Sequence, residues 1–140
     1  DVVVVTEDCK FALTETTLGI PPAQIAPFVA QRIGLSKARR IMLTAARFTG
    51  KEAFEMGLAD FVAKDANDLR VIESEIKKGV MRCAPGANAI TKDIVLATRH
   101  LSREEMIQFA AKGFAERMLS DEGMEGIASF IEKRKPRWSK

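Results

Sequence analysis

Apolar residues along the chain follow two different periods. Val2 to Val5 is a continuous β-branched run, the pattern of a strand buried on both faces, and Lys10-Phe11-Ala12-Leu13 predicts a second short extended piece. Phe61-Val62-Ala63 reads as a brief extended return. Elsewhere the spacing is helical. Ile25, Phe28, Val29 and Ile33 predict a helix from Ala23 that opens after Pro21-Pro22 and stops at Gly34, with Pro27 in its opening turns or kinking it. Ser36 is placed to cap a helix running through Ala45. Thr49-Gly50-Lys51-Glu52 and Ser102-Arg103-Glu104-Glu105 are capping boxes, in which hydroxyl and carboxylate each satisfy an end amide. The first predicts a short helix closed near Gly57, the second a helix to about Leu119. Leu69, Ile72, Ile76 and Val80 form a helical stripe over Asp68 to Cys83. Pro85 starts a further helix with Ile90, Ile94, Val95 and Leu96 on its apolar side, and Asp121 to Lys135 makes the last, ended by Pro136.

The resulting order is one or two strands followed by six or seven helices, an α/β class with most of its helix downstream. A strand like Val2 to Val5 needs partners on both edges, and the chain offers at most one or two. The expectation is therefore a chain that begins inside a domain, its sheet completed by residues outside it. A start at Asp1 without methionine agrees.

Composition narrows the classes. With 46% hydrophobic and 29% charged residues over 140 positions, the chain has the makings of a packed core and not of a disordered tail. No apolar run approaches the roughly 20 residues of a membrane-spanning helix. Two cysteines in unrelated contexts, Cys9 and Cys83, argue against a disulfide framework or a thiolate metal site, so a reducing cytoplasm is the expected home. Net charge is +3, yet the last eight residues carry five cations and no carboxylate, leaving the rest slightly acidic. Nucleic acid is thus an improbable partner, since a binding face would be lined with Lys and Arg throughout. A non-catalytic protein that uses the tail on RNA or an acidic partner is the rival reading.

Among chemistry-bearing residues, His100 is the single histidine and has no ligand spacing to another, so no metal site is expected. The cysteines read as small hydrophobes and the six methionines as gap-fillers. Phosphate-loop, dinucleotide-fold and serine-elbow motifs are missing from the sequence. Glu15 stands apart. It lies in Phe11-Ala12-Leu13-Thr14-Glu15-Thr16-Thr17-Leu18-Gly19, otherwise uncharged, between a strand and a proline turn. A carboxylate half-buried there is suited to proton transfer, although a loop glutamate is more commonly just exposed.

The same segment, continued through Ile20-Pro21-Pro22, resembles the one after the catalytic-face strand of the enoyl-CoA hydratase/isomerase (crotonase) superfamily. Three further segments agree in order: Leu43 to Ala53 with Gly57-Leu58-Ala59-Asp60; Pro85 with Ala87 and Lys92; and Glu125 to Trp138. The resemblance spans nearly the whole chain and implies the C-terminal half of a crotonase (ClpP/crotonase-like) fold. Residues 1–66 would then be the end of the βα core with the catalytic loop, and 67–140 a helical region for trimerisation and CoA contact. It implies Glu15 as general acid/base, Ala23 as the residue whose backbone amide helps hold the reacting water, and Phe130 and Lys133 as contacts to CoA. No cofactor is implied, coenzyme A being part of the acyl-CoA thioester substrate. Partners would be further subunits, in a homotrimer or dimer of trimers, and an N-terminal half supplying two oxyanion amides and a second glutamate. Where the family commonly reads Pro-Gly-Ala-Gly-Gly, this chain reads Pro22-Ala23-Gln24-Ile25-Ala26, which resembles branched glutaconyl-CoA hydratases of the isohexenylglutaconyl or methylglutaconyl type. An enoyl-CoA isomerase using Glu15 alone is the nearest alternative.

Overall fold

The computed structural model describes residues 1–139 and divides the chain inside its third long helix, into Asp1–Glu75 and Ile76 onward. In the first unit, β1 (Val4–Thr6) pairs in parallel with β4 (Phe61–Ala63), Val5 opposite Val62. Parallel partners need a long crossover, and the connection here holds every other element of the unit up to that point. β2 (Lys10–Ala12) pairs antiparallel with β3 (Arg47–Thr49), and the Phe11 and Phe48 rings stack at 5.2 Å across that pair. The expectation of one or two strands and a brief extended return is therefore corrected to four strands of three residues each among the described residues. Periodicity gives no sign of Arg47–Thr49 because three residues are too few to alternate, and its pairing with β2 defines it as a strand.

Helix α1 (Ala26–Leu43) contains Gly34 in a non-helical conformation at φ 79°, so the break expected there is real, although the helical run resumes at once. Only glycine takes that φ without strain. Ile33, Ala38, Ile41 and Met42 are its buried face, packed with Val5, Leu13, Phe48, Ala53 and Ala59 into the core of this unit. α2 (Gly50–Met56) carries the anticipated capping box. Glu52 N–H donates to Thr49 Oγ1 at 3.3 Å, and Thr49 N–H donates to Glu52 Oε2 at 2.7 Å. A Cβ at Gly50 would overlap the Thr6 carbonyl oxygen, so this helix meets β1 backbone to backbone. Asp60 ties the start of the chain to α1, accepting from Val3 N–H at 2.7 Å and pairing with Arg32.

α3 (Ala66–Met81) begins two residues earlier than its stripe suggested, and none of its residues is fully buried. In the second unit, α4 (Pro85–Ala97), α5 (Arg103–Met118) and α6 (Asp121–Ile131) follow in succession. α4 packs on α5 at Gly113, where a Cβ would come within 2.7 Å of Ile90. Ile90, Ile94 and Ala97 turn away from solvent, whereas Val95 is 61% exposed. Three consecutive residues cannot share one face at 100° per residue, which is why the sequence grouping of Ile94 with Val95 and Leu96 was too wide. The capping box at Ser102 forms as expected, with Glu105 N–H on Ser102 Oγ at 3.3 Å and Ser102 N–H on Glu105 Oε2 at 2.8 Å. Among the described residues, no helix is long and apolar enough to cross a membrane.

The last helix ends at Ile131, short of the expected Lys135, and the segment after it folds back. Glu125 is buried and accepts from both terminal nitrogens of Arg134, at 2.6 and 3.0 Å, and from Arg137 N–H at 2.9 Å. Lys133 turns the chain at φ 53°, and Trp138 donates from Nε1 to the Arg82 carbonyl at 3.2 Å. A charged run folds back here because a single buried carboxylate gathers two of its guanidinium groups.

Candidate functional site

Glu15 opens a one-turn 3-10 helix, Glu15–Leu18, between β2 and the proline turn. The turn is shaped by local chemistry: Thr17 N–H and Oγ1 both donate to the Thr14 carbonyl, and Gly19 closes it at φ 76°. Leu13, buried in the core, anchors the segment from below, and its N–H donates to the Ala46 carbonyl at 3.0 Å. Glu15 is half-buried, and its Oε2 is enclosed with no hydrogen-bond partner. An unpaired buried carboxylate oxygen is unfavourable by about 1–3 kcal/mol or more, so folds leave few of them. Glu15 is thus a carboxyl group with one unpartnered oxygen, carried on a hydrogen-bonded turn.

Ala23 lies in the same loop, eight residues on. Its N–H donates to the Pro21 carbonyl at 2.8 Å, an i to i−2 turn. The amide expected to hold a reacting water is therefore committed locally, and a water could take it only by displacing that bond. Proline at 21 and 22 produces this turn, since it fixes φ and offers no N–H of its own.

Phe130 and Lys133 are at the end of α6, in the other unit, where the Phe130 ring is 85% exposed and Lys133 is exposed. The candidate residues thus fall in two groups, Glu15 with Ala23 and Phe130 with Lys133. Lys133 is separated in role from Arg134 and Arg137, which are occupied by Glu125 and Glu132. Cys9 is half-buried, Cys83 and His100 are exposed, and no group of three or more metal-ligating side chains occurs among the described residues.

Two participants escaped sequence reasoning. Glu125 gave no local sign of burial, because its partners lie nine and twelve residues away. The other is Thr16, whose Oγ1 donates to the Met42 carbonyl at 3.2 Å across 26 residues. Neither has a signal in spacing or composition.

The chain thus combines a mixed α/β unit, with an enclosed, unpaired glutamate on a turn next to β2, and a helical unit that follows it in sequence. The enoyl-CoA hydratase/isomerase family model matches residues 1–140, and the chain belongs to that family. Its fold is that of the solved Pseudomonas aeruginosa AtuE, with TM-score 0.97 and 48% identity over 100% of this chain and 54% of that one. It is 29% identical to a probable enoyl-CoA hydratase of Bacillus subtilis, over 96% of this chain and 53% of the relative. It is 30% identical to the peroxisomal Delta(3,5)-Delta(2,4)-dienoyl-CoA isomerase of Arabidopsis thaliana, over 100% of this chain and 51% of the relative. The chain spans about half the length of the curated relatives it matches.

Proposed function

We propose that Glu15 exchanges the proton at the α-carbon of an α,β-unsaturated acyl-CoA thioester, in a protein that adds water syn across the conjugated double bond. The observation that carries this is the enclosed, unpartnered Oε2 of Glu15. A carboxyl group without a partner inside the fold is free to give its proton to a carbon, which offers no lone pair to compete for a permanent hydrogen bond.

In this scheme water adds at the β-carbon while negative charge gathers on the thioester oxygen. Preorganised amides stabilise such charge by about 3–4 kcal/mol per donor. By family resemblance those amides, and the second carboxylate that activates water, belong to a part of the protein outside this chain. Glu15 then protonates the α-carbon and is left as carboxylate. Ala23 N–H takes part in holding water once released from the Pro21 carbonyl, and Phe130 and Lys133 meet the adenine and phosphate of CoA, the ammonium by charge-assisted hydrogen bonds. The preferred acyl group is of the branched glutaconyl type, supported by the Pro22-Ala23-Gln24 variant of the turn.

Isomerisation is the second reading, favoured by the similarity to a dienoyl-CoA isomerase and by the fact that one carboxylate suffices for it. Here Glu15 removes a proton from one carbon of the acyl chain and returns it to another.

The test is turnover of crotonyl-CoA and of a methylglutaconyl-CoA thioester by the full-length gene product in deuterium oxide. Hydration with deuterium entering at the α-carbon is expected, at higher kcat/KM for the branched substrate. Glu15→Gln is expected to lower kcat by about 10²- to 10⁴-fold without altering the melting temperature. A variant of undiminished rate would overturn the role of Glu15, double-bond migration without hydration would select the isomerase, and preference for crotonyl-CoA would remove the branched substrate.

A further inference from the structure

The Glu15 carboxyl has no hydrogen bond of its own on the free oxygen, so its direction is set by whatever holds the turn beneath it. That turn makes two long-range attachments to one place. Leu13 N–H donates to the Ala46 carbonyl at 3.0 Å, and Thr16 Oγ1 donates to the Met42 carbonyl at 3.2 Å. Both acceptors flank the end of α1, where Ala45 sits at φ 52°. That left-handed conformation is disfavoured for alanine and persists only where surrounding contacts enforce it. Two bonds enforce it, from Ala45 N–H to the Met42 carbonyl at 3.4 Å and from Ala46 N–H to the Ile41 carbonyl at 2.9 Å. The chain reversal they close sets the Met42 and Ala46 carbonyls four residues apart in sequence beneath the Glu15 turn.

We propose that Thr16 is a positioning residue for Glu15, hooking the glutamate turn onto the strained end of α1 so that the carboxyl is held at a fixed angle to its substrate. Without the Thr16 hydroxyl the segment keeps only Leu13 as an anchor, two residues before the glutamate, and the turn can pivot about it. The adjacent Thr17 cannot substitute, because its hydroxyl is spent inside the turn on the Thr14 carbonyl at 2.7 Å. This proposal rests on the proton-transfer reading of Glu15.

The experiment compares Thr16→Val with Thr16→Ser in the full-length gene product by two independent readouts. The first is amide hydrogen exchange at Gly19 and Ile20, which donate within the turn to the carbonyls of Thr16 and Glu15. The valine variant is expected to exchange there about tenfold faster while Leu13 N–H keeps its protection, and the serine variant to match the parent. The second is steady-state turnover of crotonyl-CoA, where valine is expected to lower kcat about tenfold with KM unchanged and serine to restore it, as expected when a reacting group is misplaced but binding is untouched. Unaltered exchange in the valine variant overturns the hook. Altered exchange with unaltered kcat, or a loss that serine fails to rescue, overturns its role in positioning. A parent enzyme that neither hydrates nor isomerises crotonyl-CoA or a methylglutaconyl-CoA thioester overturns the reading of Glu15 and the catalytic role of Thr16 with it, while the exchange data still report on the hook.

Discussion

Glu15 and Glu125 are two carboxylates sheltered from water, with opposite solutions to the same problem. Glu125 is satisfied by Arg134, at 2.6 and 3.0 Å, and by Arg137, and the Arg134 hydrogen bonds lead in holding its pKa down from 4.5 to about 2. Glu15 leaves an oxygen unpaired. The first is a structural use of charge, and the second is the carboxyl for which proton transfer is proposed. A carboxyl whose folded pKa is depressed stabilises the protein fully above its unfolded value, and that contribution fades as pH falls through the window from about 4.5 to about 2. Melting temperature is therefore expected to fall more steeply on acidification in the parent protein than in Glu125→Gln, which is already less stable at neutral pH for want of an anion between its two arginines. Parallel pH curves for the two would show that Glu125 does not carry this linkage. Glu15 was legible in the sequence because it is the one charge in an uncharged loop. The buried Glu125 was not, because nothing within a helical turn of it announces the arginines that return after Lys133.

At the level of elements, both capping boxes were readable from four residues each, since hydroxyl, carboxylate and the amides they satisfy all lie within one turn. Thr49 also ends β3, so its cap fixes the point at which strand becomes helix. Thr49→Ala is expected to lower unfolding free energy by about 1 kcal/mol in denaturant titration, with Thr49→Ser largely retaining it. An alanine variant as stable as the parent would mean that the helix start is held by Gly50 against Thr6 and not by the cap. The pairing of β2 with β3 was not readable. It depends on Phe11 finding Phe48, and three-residue strands show no alternation from which to infer it. The helices of the second unit show the converse limit, where apolar content was clear but the buried face was not. Ile90 and Ile94 are shielded by α5, yet Val95 faces water, and the glycine at 113 that permits this approach is meaningful only once two helices are known to cross there.

At the scale of the molecule, many large apolar side chains are exposed. Along α5, α6 and the link between them, Phe114, Leu119, Ile127, Phe130 and Ile131 are all between 45% and 85% exposed. Large exposed apolar patches are a feature of interaction sites. Assembly of the full-length gene product as a trimer or a pair of trimers, which the family resemblance implies, is the expected outcome of sedimentation equilibrium, and a monomer at all concentrations would overturn it. The sequence by itself determined the two capping boxes, the α/β class, the glutamate worth testing and the family, because caps, periodicities and short motifs are local chemistry written in neighbouring residues. Only the tertiary structure decided that Thr16 reaches Met42, that Trp138 reaches the Arg82 carbonyl 56 residues away, and that the basic tail closes on Glu125. Those contacts join residues whose separation in sequence carries no signal, and they exist only once packing has brought distant backbone carbonyls and a single buried carboxylate within hydrogen-bond reach.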